Sequence, residues 1–214
     1  MYAPTTRPYL KRLTGMIVGL AFITYGCQRP LPKPTAFSHK DNVQEKIAGQ
    51  LLLKKEWQDK RGAHVAVFAT EETSDNSVWL TIEHHLAAGT KLSRLHRIRD
   101  GVKACFADNV TSLLQPSVTL EDHDGDGNKA LSFIYYRGCV SDVSPYDAVL
   151  LILDGERQYR VEGRVPFEFD PSTHSDEFLI DSGVGSWPRV FREHAKALWA
   201  RHAKSVYSNR EGLK

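Results

Sequence analysis

The 214-residue chain has no apolar run beyond residue 27 long enough to cross a bilayer as a helix, which takes roughly 20 apolar residues. It also lacks an excess of either charge, with 28 Lys and Arg against 26 Asp and Glu. That balance leaves no basic footprint for nucleic acid. It carries no G-x-S-x-G, no H-E-x-x-H and no P-loop, so the familiar signatures of serine hydrolases, zinc proteases and phosphate-cradling enzymes are missing. Cysteine is scarce, at three residues. No internal repeat is strong enough to indicate a propeller.

The N-terminal segment is the strongest signal. Residues 1–12 hold Arg7, Lys11 and Arg12 and no acid, and Leu13 to Tyr25 reads LTGMIVGLAFITY. A basic start, a short apolar stretch and a small residue at the cut describe an export signal over residues 1–26. Gly26 before Cys27 looks like a bacterial lipobox, in which the cysteine is lipidated and becomes the mature N-terminus. Thr24 stands where the usual pattern has Leu, and the alternative is ordinary cleavage near Gly26 to a soluble periplasmic protein. Gln28, not Asp, follows Cys27, which by the same resemblance implies a lipid anchor on the periplasmic side of the outer membrane. Losing three of 28 basic residues and no acid leaves 25 basic against 26 acidic residues.

Cysteine parity agrees with export. A leftover thiol is a liability outside the cytosol. With lipid on Cys27, Cys105 and Cys139 remain as a pair suited to an oxidising compartment. The alternative is two buried thiols that never meet.

Residues 27–42 contain Pro30, Pro32 and Pro34 among polar residues, so they read as an extended tether. A helical turn around Val43–Gly49 would follow. Residues 43–207 have a length that suits a single domain with a real core. From Gln50 to about Pro166 the pattern is strand. His64–Phe68 is β-prone, Ser77–Leu86 alternates Val78, Leu80, Ile82 and His84, and Ala148–Leu153 is continuously apolar. Leu92, Leu95 and Ile98 fit neither period. Asp154-Gly155 between two β-prone runs is a hairpin signal. The C-terminal part changes period: Phe191, Ala195, Leu198 and His202 share one helical face, with Trp199 beside them. Ser186 is the expected N-cap and Pro188 falls in the first turn, for a helix over 187–205. The fold class is α+β, mainly an antiparallel β meander with a C-terminal packing helix.

The chemistry concentrates in Leu120–Leu131, LEDHDGDGNKAL. In D-x-D-x-D-G, Asp122, Asp124 and Asp126 can converge on one hard cation while Gly127 permits the sharp turn. The backbone carbonyl of Asn128 would be a fourth ligand. Ca2+ is the expected ion, because it accepts oxygen donors in flexible geometry. An EF-hand needs Glu at position twelve, which is Phe133, and related loops carry an acid at position nine, which is Ala130. The closing acid would then be Glu121 or Asp142. The alternative is an acidic surface turn. Downstream, Tyr136, Arg137, Asp142 and Ser144 are binding candidates, with Asp142, Ser144 and Pro145 also forming a good turn initiator.

The run DHDGDGNKALSFIYYRGCVSDVSP, the apolar strand after it, DGERQYRVEG and the Phe191…Leu198-Trp199 helix resemble a family of exported bacterial proteins often labelled surface-polysaccharide-biosynthesis proteins. The resemblance spans roughly residues 45–205 and is specific over 118–163. Asp122, Asp124, Asp126, Cys139, Asp142, Ser144, Pro145 and Tyr159 match its pattern, and Ala130 departs from it. It implies a β-rich fold with the acidic loop close to the Cys139–Pro145 segment.

No catalytic set is evident. His84 and His85 are adjacent, and in a strand they face opposite sides, so they are poor joint ligands. Glu121 with Asp126 could be imagined as a glycosidase pair, but consecutive loop carboxylates more often hold a cation. Ser144 has no evident base. The leading expectation is a non-enzymatic envelope lipoprotein, stabilised by Ca2+, that binds a protein partner, as an immunity-type inhibitor of a periplasmic toxin does. A cell-surface polysaccharide accessory factor and an acidic-loop hydrolase are the alternatives. Trp57, Trp79 and Trp187 are candidate interface aromatics, with core packing expected for at least two.

Overall fold

The computed structural model describes residues 47–88, 91–141, 146–165 and 184–202. The export signal, Cys27, the tether, Asp142, Ser144 and Pro145 lie outside the described residues. In chain order the strands are β1 (Gln50–Asp59), β2 (Gly62–Glu72), β3 (Val78–Ala88), β4 (Lys91–Val102), β5 (Asp108–Asn109), β6 (Ser112–Glu121), β7 (Ala130–Arg137), β8 (Cys139–Val140), β9 (Tyr146–Asp154) and β10 (Arg157–Val165). A 3-10 turn (Val184–Ser186) precedes the helix α1 (Arg189–His202).

The strands form two antiparallel four-stranded sheets, ordered β1-β2-β3-β4 and β10-β9-β7-β6, plus the small β5-β8 pair. The meander expectation holds within the first sheet. Alternation places Ala66, Phe68, Leu80 and Ile82 on its inner face, packed with Phe133, Tyr135, Val149, Leu151 and Leu153 of the second. Phe68 meets Phe133 edge-on, with ring centroids 5.1 Å apart. The second sheet is covered on both faces. Ile134, Tyr136, Leu150, Ile152 and Val161 on its other face pack against Phe191, Ala195, Leu198 and Trp199 of α1. This explains why Ala148–Leu153 is continuously apolar: a strand buried on both faces has no polar side. Gly163 is required here, because a Cβ would lie 2.6 Å from the Trp199 ring.

Two irregularities account for patterns that fit no simple period. The β3–β4 register shifts between His84 and His85, whose partners are His96 and Arg94. Leu95 is therefore the extra residue of a bulge. In β6 the register shifts between Leu114 and Thr119, around Pro116, which has no amide to donate and is tolerated on this edge strand. Ser117 fills the gap. Its hydroxyl donates to the Leu114 carbonyl at 2.7 Å and accepts from the Ile134 amide at 2.7 Å.

The helix opens two residues later than expected. The Pro188 carbonyl accepts from the Arg192 amide at 3.2 Å, so Pro188 takes the flanking position and Ser186 closes the 3-10 turn. The expected apolar face is otherwise present, with Trp199 buried in place of the half-exposed His202. Residues 47–49 are not helical, and the rest of the expected early turn lies outside the described residues.

Candidate functional site

Strand direction collects three turns at one end of the sandwich: β1–β2, the acidic β6–β7 loop and β9–β10. The expected hairpin at Asp154-Gly155 is present, with Arg157 paired to Asp154 and Gly155 at φ 58°. The Lys60 amide donates to the Gly127 carbonyl at 3.3 Å, and the Lys60 ammonium donates to the Asp126 carbonyl. Arg61 Nη2 reaches Asp154 Oδ1 at 2.9 Å and Asp126 Oδ2 at 3.8 Å.

The acidic loop is internally organised. Asp122 accepts the Gly125 and Gly127 amides, each at 2.9 Å. Asp124 accepts the Asp126 amide at 3.3 Å, and Asp126 accepts the Asn128 amide at 2.7 Å and its Nδ2 at 2.8 Å. Hydrogen bonds from Asn128 hold the Asp126 carboxyl below its usual range. Gly127 sits at φ 86°, and a Cβ there would meet Lys60 Cε at 2.2 Å. All three carboxylates are exposed, and one oxygen from each lies within 4.8 Å of the other two. These residues could hold a metal ion. Asn128 donates to Asp126 through its amide and Nδ2, and Glu121 groups with His123 and His194.

Of the Cys139–Pro145 segment expected near the acidic loop, Asp142, Ser144 and Pro145 lie outside the described residues, and Cys139 is set apart from the loop by topology. The eight residues of β7 lie between them, a span of about 25 Å at the usual strand rise. Cys139 sits at the opposite end, paired with Asn109 in the β5–β8 ladder.

A polar line unforeseen from sequence runs through the inner core. Asp59, with a side chain 1% exposed, accepts from His64 Nε2 at 3.0 Å. It also accepts the Arg61 amide at 2.8 Å and the Lys129 amide at 3.1 Å. His64 Nε2 therefore carries the proton, and its bare Nδ1 accepts from His84 Nε2 at 3.0 Å. That leaves His84 Nδ1 as a buried acceptor with no partner among the described residues. His96 stacks on His84 at 5.7 Å and donates to the Gly155 carbonyl at 2.6 Å. Trp57 stacks on His64 at 4.8 Å. Burial, reinforced by repulsion from His64 and His96, pushes the His84 imidazole down to about 3. His85 lies on the outer face with Glu83 at 2.9 Å, so the two adjacent histidines do part ways.

Two binding candidates are engaged in contacts within the fold. Tyr136 is 3% exposed beneath α1. Arg137 bridges the sheets, donating to Asp100 at 2.6 and 2.8 Å and to Glu162 at 2.8 Å. Arg160 and the Tyr135 hydroxyl also donate to Asp100. Burial alone would raise the Asp100 carboxyl, but these bonds outweigh it and bring it to about 2.

At the opposite end, Cys105 and Cys139 form the expected disulfide, with Cα atoms 5.4 Å apart. Closing a 34-residue separation contributes about 3–4 kcal/mol in the chain-entropy model. Beside it Phe106 is 95% exposed. Asn76 Nδ2 donates to the Cys105 carbonyl at 2.7 Å and the Ala107 carbonyl at 3.0 Å, clamping the backbone on both sides of the phenylalanine. Asn109 Nδ2 in turn donates to the Asn76 carbonyl at 2.7 Å. Of the three tryptophans considered, Trp57 and Trp187 are buried and Trp79 lies under the Arg99 guanidinium at 4.6 Å. Phe106 is not among the residues the sequence singles out, because its exposure is set by the fold and leaves no local pattern.

No protein-family model, no curated protein and no solved structure matches this chain.

Proposed function

We propose that this protein is a non-catalytic, lipid-anchored module of the bacterial envelope that acts by binding a protein partner, in the manner of an immunity-type inhibitor. The observation that carries the reading is Phe106. A single aromatic ring stands 95% exposed on a tip held by a disulfide and by Asn76. Binding energy concentrates in such rigid aromatic anchors, since little ordering entropy is lost when they dock. The export signal and Cys27 support the location, and the disulfide suits an oxidising compartment.

The test is to replace Phe106 with photoreactive benzoylphenylalanine in the full chain and irradiate intact cells. One dominant adduct with a second protein is expected. An adduct only with another copy of this chain would make Phe106 a homodimer contact, and no adduct would remove the reading.

The acidic loop is proposed to take Ca2+ in a structural role. Its donors are all oxygens, and an ion among Asp122, Asp124 and Asp126 would offset their mutual repulsion. At 100 times the dissociation constant, an ion that binds only the folded state adds about 2.7 kcal/mol. The melting temperature is expected to rise with Ca2+ in the wild type and to stay flat in Asp124→Asn. A wild-type melt indifferent to Ca2+ and chelator would exclude the ion.

A further inference from the structure

Next to the three aspartates lies a second donor set of different chemistry. Glu121 ends β6, His123 stands in the acidic loop, and His194 lies on α1. We propose that Glu121, His123 and His194 form a transition-metal site of the class that takes Zn2+, tying the acidic loop to α1. This site is separate from the Ca2+ reading of Asp122, Asp124 and Asp126.

One donor atom from each of the three residues lies within 4.8 Å of the other two. Tetrahedral zinc, with bonds of about 2.0–2.1 Å to nitrogen, spaces its donors by roughly 3.3 Å, so side-chain adjustments of the order of 1 Å close the set. Two imidazoles and one carboxylate match zinc or its neighbours, whereas the three aspartates match a harder ion.

A second observation points to a ligand independently. The Nε2 atoms of both His123 and His194 are buried and have no hydrogen-bond partner among the described residues. Buried polar atoms are normally paired. The His123 side chain is only 10% exposed, and its ring lies 3.9 Å from the His194 ring, centroid to centroid. Phe191 packs edge-on against His123 at 5.9 Å, fixing the ring against the helix. Glu121 is 58% exposed, with Oε2 3.8 Å from His123 Nδ1. It brings a charge from the solvent side and leaves the fourth position to water.

The test titrates Zn2+ into the full chain after chelator treatment, by calorimetry, with Co2+ absorption as a report on nitrogen ligation. One ion per chain is expected. His194→Gln and His123→Gln, chosen to keep volume and hydrogen-bonding capacity, should each weaken binding at least about tenfold and change the Co2+ spectrum. Asp124→Asn should abolish the Ca2+ response and leave Zn2+ affinity within about twofold. Wild-type affinity in folded His194→Gln, Zn2+ binding lost with Asp124→Asn, or no saturable binding by the wild type would each overturn the site.

Discussion

Asp59→Ala is expected to lower the unfolding free energy by about 3–5 kcal/mol, the range for removing one partner from a buried charged cluster. Asp59 is where three segments meet. Its carboxylate holds the His64 imidazole, the Arg61 amide of the β1–β2 turn and the Lys129 amide at the end of the acidic loop. Truncation leaves the buried His64 imidazole and the part-buried Arg61 amide without that acceptor, and leaves the exposed Lys129 amide to water. Each unsatisfied buried donor costs about 1–3 kcal/mol, which is why the loss exceeds that of one ordinary hydrogen bond. It also releases the proton arrangement of the histidine line, since Asp59 is what fixes the proton on His64 Nε2. Asp59→Asn keeps one acceptor oxygen and should cost less. Urea unfolding of both variants measures the effect. A loss under about 1 kcal/mol for Asp59→Ala would show that the cluster is solvated in solution.

Stability should also fall steeply with acid, through His84. Its folded-state value of about 3 lies below the ordinary histidine value of 6.5. Above pH 6.5 both states are neutral at this residue and it contributes no pH dependence. Below 6.5 the unfolded chain takes up a proton that the folded protein refuses, so stability is lost progressively as pH falls toward 3. One unit is worth about 1.4 kcal/mol, so His84 accounts for about 2–3 kcal/mol between pH 6 and 4. His64, His96 and His85 oppose a charge there, and Asp59 favours it. Asp100, held at about 2, adds a further loss below its ordinary value of 3.8 in the same direction. His84→Gln should flatten the slope of stability against pH between 6 and 4 by about one proton. An unchanged slope would place the acid sensitivity elsewhere.

The sequence made local features legible and long-range ones opaque, for physical reasons visible in particular residues. Asp154-Gly155 specified its hairpin because a tight turn needs a positive φ at a defined spot. Phe191, Ala195 and Leu198 specified the helix because 3.6-residue periodicity belongs to the segment alone. Cys105 and Cys139 followed from parity. The division into two sheets was hidden, since inner and outer faces depend on what packs over them. The β4 pattern was obscured by the Leu95 bulge and by polar His96 and Asp100 at inward positions. His64, His84 and His96 form a line only through cross-strand pairing, and His123 meets His194 only because α1 lies across the second sheet.

The most direct test of the binding account is the affinity of the protein captured through position 106 for the wild type and for Phe106→Ala. Because the ring is exposed, the substitution should leave folding within about 0.5 kcal/mol of the wild type. The expected result is a loss of about 2 kcal/mol or more in binding, roughly thirtyfold in dissociation constant. Unchanged affinity for Phe106→Ala, with binding abolished instead by Lys60→Ala at the opposite end, would contradict the account.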